Sequence, residues 1–177
     1  MIGGNSGQTT GGSNQISDIE LIKAKHGNDN CDPTNHLPYP VAGHSSIASD
    51  RGVITCGGSK FDSFFNTWTE TPECYLVKKD GETRTLPTMK TPRINFGLGI
   101  NNDILYAVGG TFAYNTMEMI NMNTDSGWSQ IDLPFGLDEH CVTTTQTTMV
   151  ITGGVSGVIN ANPFSPPPKV SKIRNCE

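Results

Sequence analysis

Short runs of apolar and β-branched residues punctuate this chain, each bounded by glycine, asparagine or aspartate. None continues at the three-to-four-residue spacing of an amphipathic helix, so the pattern predicts short strands joined by turns. Four runs close on a glycine pair: Ile2-Gly3-Gly4, Val53-Ile54-Thr55-Cys56-Gly57-Gly58, Leu105-Tyr106-Ala107-Val108-Gly109-Gly110 and Val150-Ile151-Thr152-Gly153-Gly154. The first glycines of these pairs lie 54, 52 and 44 residues apart. Glycine permits positive φ and close backbone approach, so the pairs read as structural turn positions rather than phosphate-cradling loops.

Other features keep phase with the glycines. Pro38 and Pro134, each preceded by leucine, stand 19 residues before a first glycine, and His44 and His140 stand 13 before one. Downstream of three pairs a glutamate sits inside an apolar stretch, at Glu20, Glu73 and Glu118, and Trp128 follows in the third unit. Each unit therefore reads as four strands, which in the third fall near 93–100, 105–109, 116–122 and 128–132. Asn101-Asn102-Asp103, Asp125-Ser126-Gly127 and Lys79-Asp80-Gly81 supply turns between strands. A four-stranded sheet of this pitch buries both faces only by stacking on its neighbours, which is the logic of a propeller. The expected fold is all-β, a partial β-propeller of about four antiparallel blades over 1–38, 39–87, 88–134 and 135–177, the first and last incomplete. Incomplete blades expose sheet faces, so self-association is expected.

Composition narrows the function classes. The 177 residues carry 17 acidic against 12 basic side chains, a formal charge of −5, which gives no basic field for a nucleic-acid backbone. No apolar run approaches the about 18 residues that a membrane-spanning helix needs. No leader is visible at Met1-Ile2-Gly3-Gly4, which reads as a start within a longer chain.

The third unit, with Leu105 to Gly110, Met117-Glu118, Trp128 and Leu133-Pro134, resembles the kelch motif. Arg93 after Pro92 stands where kelch repeats often carry an arginine. The chain departs from the motif in lacking Tyr-Asp after the glutamate and in having Glu82-Thr83-Arg84-Thr85 where the second unit's tryptophan belongs. The resemblance implies a kelch-type propeller acting as a protein-interaction surface. Relatives of galactose-oxidase-like architecture imply an alternative, a fragment of a carbohydrate-acting enzyme, and a secreted structural protein is a third reading.

Candidate chemistry is sparse. His26, His36, His44 and His140 show no paired ligand spacing, no Gly-x-Ser-x-Gly elbow occurs, and no metal, cofactor or catalytic residue is expected. Glu20, Glu73 and Glu118 read as repeated structural positions, with Arg93 a partner for one of them, against a ring of channel carboxylates. Cys56 and Cys74 lie on strands that should be antiparallel neighbours, where the third unit has Val108 and Met119. They form either a disulfide or two buried thiols. Cys-Gly-Gly with a later cysteine also resembles kelch domains of extracellular animal proteins; on the strength of a Cys56–Cys74 disulfide the chain is placed outside the cell, with a cytoplasmic location as the alternative. Cys31, Cys141 and Cys176 have no assigned partner. The stretch 59–72, with Phe61, Phe64, Phe65 and Trp68, reads either as binding anchors or as a loop folded over the blade as a satellite core. The expected partner is a protein.

Overall fold

The computed structural model describes residues 2–6, 14–20, 33–62, 64–124, 126–145, 147–155 and 172–174, with side chains between 37 and 155. In chain order its strands are β1 (Ile2–Ser6), β2 (Asn14–Glu20), β3 (Pro33–His36), β4 (Val41–Ala42), β5 (Ser45–Ser49), β6 (Gly52–Cys56), β7 (Ser59–Asp62), β8 (Thr67–Glu70) and β9 (Cys74–Val77). There follow β10 (Thr83–Leu86), β11 (Gly97–Asn101), β12 (Ile104–Val108), β13 (Thr116–Asn121), β14 (Ser129–Asp132), β15 (Asp138–Thr144), β16 (Thr148–Val155) and β17 (Lys172–Arg174). No helix occurs among the described residues. Four sheets are antiparallel meanders in blade order: β1-β2-β3, β5-β6-β9-β10, β11-β12-β13-β14 and β15-β16-β17. The first strands β5, β11 and β15 are neighbours in that order, as the inner strands of a radial array must be. A fifth sheet, β4-β7-β8, was not anticipated: the stretch after Gly57-Gly58 is a hairpin that pairs with β4 rather than a loop.

Period-two alternation buries both faces of the inner blades. On β12, Leu105 and Ala107 join Ile54, Leu76, Met89, Phe96, Leu98, Ile120 and Trp128 between the second and third blades. Val108 turns the other way, to Met117, Leu133, Leu137 and Ile151, between the third and fourth. Burying one such side chain stabilises by about 1.5–3 kcal/mol, so the inter-blade layers are the principal apolar core. Trp128 is buried and its indole N–H donates to the Pro87 carbonyl at 2.9 Å, tying the third blade to the entry from the second. Asn102 and Asp103 both have positive φ, 49° and 59°, as a two-residue hairpin turn of the primed type requires between Asn101 and Ile104.

The glycine pairs are the joints between blades. The Gly58 N–H donates to the Arg93 carbonyl of the next blade and the Gly110 N–H to that of Leu137, both at 2.8 Å. A Cβ on Gly57 would stand 2.6 Å from the Arg93 carbonyl oxygen and 2.6 Å from the Phe96 ring. On Gly109 it would stand 2.5 Å from the Leu137 carbonyl oxygen and 3.0 Å from the His140 ring. Phe96 thus occupies in the third blade the place that His44 and His140 occupy in the second and fourth. One residue earlier, Gly43, Asn95 and Glu139 all have positive φ, and Glu139 N–H to Asn95 carbonyl (2.9 Å) and Asn95 N–H to Gly43 carbonyl (3.0 Å) run from blade to blade.

The phase of the glutamates is corrected by strand register. Val108 pairs with Met117 and Cys56 with Cys74, so Tyr75, not Glu73, holds the place of Glu118, and Met117, not Met119, matches Cys74. Glu118 is fully buried against Arg93, 3.0 Å from guanidinium to carboxylate, and also accepts from the Lys90 and Thr91 backbone N–H groups. Arg93 spends its other donors on the carbonyls of Gly109 (2.7 Å) and Thr116 (3.0 Å). In the second blade Val41 takes the position of Arg93. A buried carboxylate without its cation costs several kcal/mol, so the two members change together, to Val41 and Tyr75. Glu20 lies on β2, its side chain outside the described ones, as are Cys31, Cys176, His26 and the proline-rich stretch 160–168.

His140 is buried in the joint of the third and fourth blades, its ring near the Val108 carbonyl and the Asp138 carboxylate. Burial holds its pKa below the ordinary histidine value, while the Asp138 carboxylate and the Val108 carbonyl oppose this less strongly. Between the depressed folded value and the unfolded value near 6.5, the unfolded chain binds more protons. The stabilisation is therefore complete above about pH 6.5 and is lost as pH falls below it. His140→Phe, which copies Phe96, is expected to flatten the fall in urea midpoint between about pH 7 and 5; parallel curves for the two proteins would refute this.

Candidate functional site

The β7–β8 hairpin is built for exposure at its tip and rigidity at its base. Asp62 closes the turn: its Oδ1 accepts from the backbone N–H groups of Phe64 (2.9 Å) and Phe65 (3.1 Å), and Asn66 takes the left-handed conformation, φ 50°. Beneath the turn Phe61 and Trp68 face each other across the strands, ring centroids 5.2 Å apart. Above it Phe64 and Phe65 make an edge-to-face pair at 4.9 Å, exposed by 88% and 69%, while Trp68 is 40% exposed. The hairpin therefore combines a partly covered pair, Phe61 and Trp68, with an uncovered one, Phe64 and Phe65.

Where the hairpin leaves the blade, Cys56 and Cys74 pair across β6 and β9 and form a disulfide, S–S 2.07 Å, both residues buried. The Gly57 N–H donates to the Glu73 carbonyl and the Thr71 N–H to the Gly58 carbonyl, each at 2.9 Å, so both hairpin legs are pinned. Cys141, by contrast, is a free and exposed thiol.

A polar cluster that the sequence reading missed sets the hairpin against the blade. The hydroxyls of Tyr39 and Tyr75 both donate to Glu73 Oε2, the latter at 2.7 Å. Lys60 of β7 lies 3.7 Å from Glu73 Oε1 and 5.0 Å from the Tyr39 ring centroid, a cation–π distance. Burial alone would raise the Glu73 pKa, but the two tyrosine hydrogen bonds and Lys60 outweigh it and hold the carboxyl below its ordinary value. Burial, then Glu73, pushes the Tyr39 hydroxyl up; burial followed by the neighbouring Tyr39 and Glu73 does the same to Tyr75. Both phenols are held as donors. No count along the chain reveals this cluster, because the hairpin inserted after Gly58 shifts the phase; only the pairing of Cys56 with Cys74 places Tyr75 where the third unit has Glu118.

The other sequence candidates do not converge. Among the described residues no three metal-ligating side chains gather. A groove of about 390 Å³ lies between the inner turns of the second and third blades, lined by Asp50, Arg51, Ile54, Ile100 and Asp103. There Arg51 is held by Asp103 (3.6 Å) and the Met122 carbonyl (2.7 Å), an inter-blade tie.

No protein-family model matches the chain. Over 122 residues, 67% of the chain, it is 25% identical to "Kelch repeat and BTB domain-containing protein 2" of Cowpox virus (strain GRI-90 / Grishak), covering 21% of that protein. Over 77 residues, 44% of the chain, it is 38% identical to "Kelch-like protein 41a" of Danio rerio, covering 12% of it. The chain thus spans about a fifth or less of the length of these relatives. Partial similarity to two kelch-repeat proteins and an all-β array of separate antiparallel sheets agree on a partial kelch-type propeller.

The disulfide closes an 18-residue separation that contains the whole hairpin. Cys56→Ala/Cys74→Ala is expected to lower the unfolding free energy by about 3 kcal/mol and to speed amide exchange in β7 and β8. Denaturant titration and hydrogen exchange measure both, and a variant as stable and as protected as the parent contradicts the clamp.

Proposed function

We propose that this kelch-type array is a non-catalytic protein-interaction module and that the β7–β8 hairpin carries the contact. The observation behind this is the Phe64–Phe65 pair, uncovered at a tip whose backbone is fixed by Asp62, Asn66 and the disulfide beneath it. Large aromatic side chains dominate binding energy at protein interfaces, and anchors already held in place lose little entropy on docking. Phe61 and Trp68 support the tip from below, so its orientation is set before a partner arrives. Phe64→Ala/Phe65→Ala is expected to weaken a partner recovered with the parent protein by about 2 kcal/mol or more, without altering the melting temperature. Undiminished binding by that variant refutes the hairpin as the contact.

We place the protein outside the cell, on the support of the buried Cys56–Cys74 disulfide, because such a bond persists in an oxidising compartment and is rare in the cytosol. In protein taken from its native source with thiols blocked at lysis, both cysteines are expected to resist alkylation until reduced. Free alkylation of both moves the protein to a reducing compartment.

A further inference from the structure

The sheet β4-β7-β8 ends on β8, and among the described residues no strand pairs with its outer edge. The direction of its backbone groups follows from two hydrogen bonds. The Phe61 N–H donates to the Pro40 carbonyl, toward β4, and the Gly58 carbonyl accepts from Thr71, toward the β8 leg. Backbone direction alternates along a strand, so Ser59 and Phe61 face β4 while Gly58, Lys60 and Asp62 face β8. In register Phe61 stands opposite Trp68 and Ser59 opposite Glu70. Trp68 and Glu70 therefore turn their N–H and C=O groups away from β7, to the outer edge.

This edge lacks the usual protections. Thr67, Trp68 and Thr69 are exposed, the register runs without a bulge, and no proline or lysine interrupts the strand. Side chains two apart share a face, so Glu70 lies on the same face as Trp68 and Phe61. Glu70 has no ion-pair partner among the described residues, whereas Lys60 is taken by Glu73. The chain as a whole carries a formal charge of −5.

We infer that the outer edge of β8 accepts an extended segment of a partner protein as an added strand. This deepens the proposal that the hairpin is the contact and rests on it. The backbone groups of Trp68 and Glu70 supply the pairing. An apolar residue of the segment lies beside Trp68, and a lysine or arginine two positions from it lies beside Glu70. Main-chain pairing gives affinity and the alternate side chains give selectivity, as in other strand-addition complexes.

The test uses displayed random ten-residue peptides selected on the whole chain. Selected peptides are expected to carry an apolar residue two positions from a lysine or arginine and to slow amide exchange at Trp68 and Glu70 by about tenfold or more. Glu70→Pro, which removes one outward N–H while keeping both tip phenylalanines, is expected to weaken them about tenfold. Glu70→Lys, which leaves the backbone intact, is expected to weaken the basic peptides while the melting temperature holds. Failure to select any peptide, binders that leave both amides unprotected, or full binding by the two Glu70 variants overturns strand addition. A recovered protein partner that is lost with Phe64→Ala/Phe65→Ala but kept with Glu70→Pro overturns the edge and leaves the tip as the contact.

Discussion

Everything in this structure depends on how closely one blade's backbone approaches the next. The second glycine of a pair donates its N–H to a carbonyl of the following blade, and the first glycine leaves room for that blade's carbonyl and ring. A methyl group at Gly57 or Gly109 would stand within 2.6 Å of a backbone oxygen, a distance that no side-chain rotation relieves. Backbone contact at the joint brings Leu98, Leu105, Phe96 and Trp128 against the previous blade, and only then does an isolated sheet gain a core on both faces. The recurrence of the glycine pairs is therefore a consequence of stacking, not of the strands themselves.

The second blade shows how far a repeat can change while its joint is kept. The third blade fills the space above its glycine pair with a buried Arg93–Glu118 ion pair. The second fills it with Val41 and Tyr75 and moves its carboxylate, Glu73, two residues toward the surface, where Tyr39, Tyr75 and Lys60 satisfy it. That exchange is what seats the extra hairpin: Lys60 is both a residue of β7 and a partner of Glu73. The disulfide sits at the position where the third blade has Val108 and Met117, so the bond that clamps the hairpin also occupies the inter-blade core. Hairpin and blade are one mechanical unit, and an aromatic tip mounted on it keeps its orientation.

The order and kind of strands were legible from the sequence because they follow from local rules. Alternating apolar residues, two-residue turns such as Asn102-Asp103 and glycine pairs at a near-constant pitch each act within a few residues of the chain. The pairing of Cys56 with Cys74 was legible for the same reason, since adjacent antiparallel strands bring them opposite. What stayed hidden was register and partnership between distant segments. Glu73 looked equivalent to Glu118 by its apolar setting, yet pairing across β6 and β9 puts Tyr75 there. The stretch after Gly58 looked like a connection because its partner strand is the two-residue β4, too short to announce itself. The sequence by itself determined that this chain forms repeated antiparallel sheets, since strand periodicity and turn chemistry are properties of neighbouring residues. Only the tertiary structure decided which side chains meet at a joint, which carboxylate is buried and which strand edge has no partner among the described residues, because those depend on distances between residues that the chain order keeps apart.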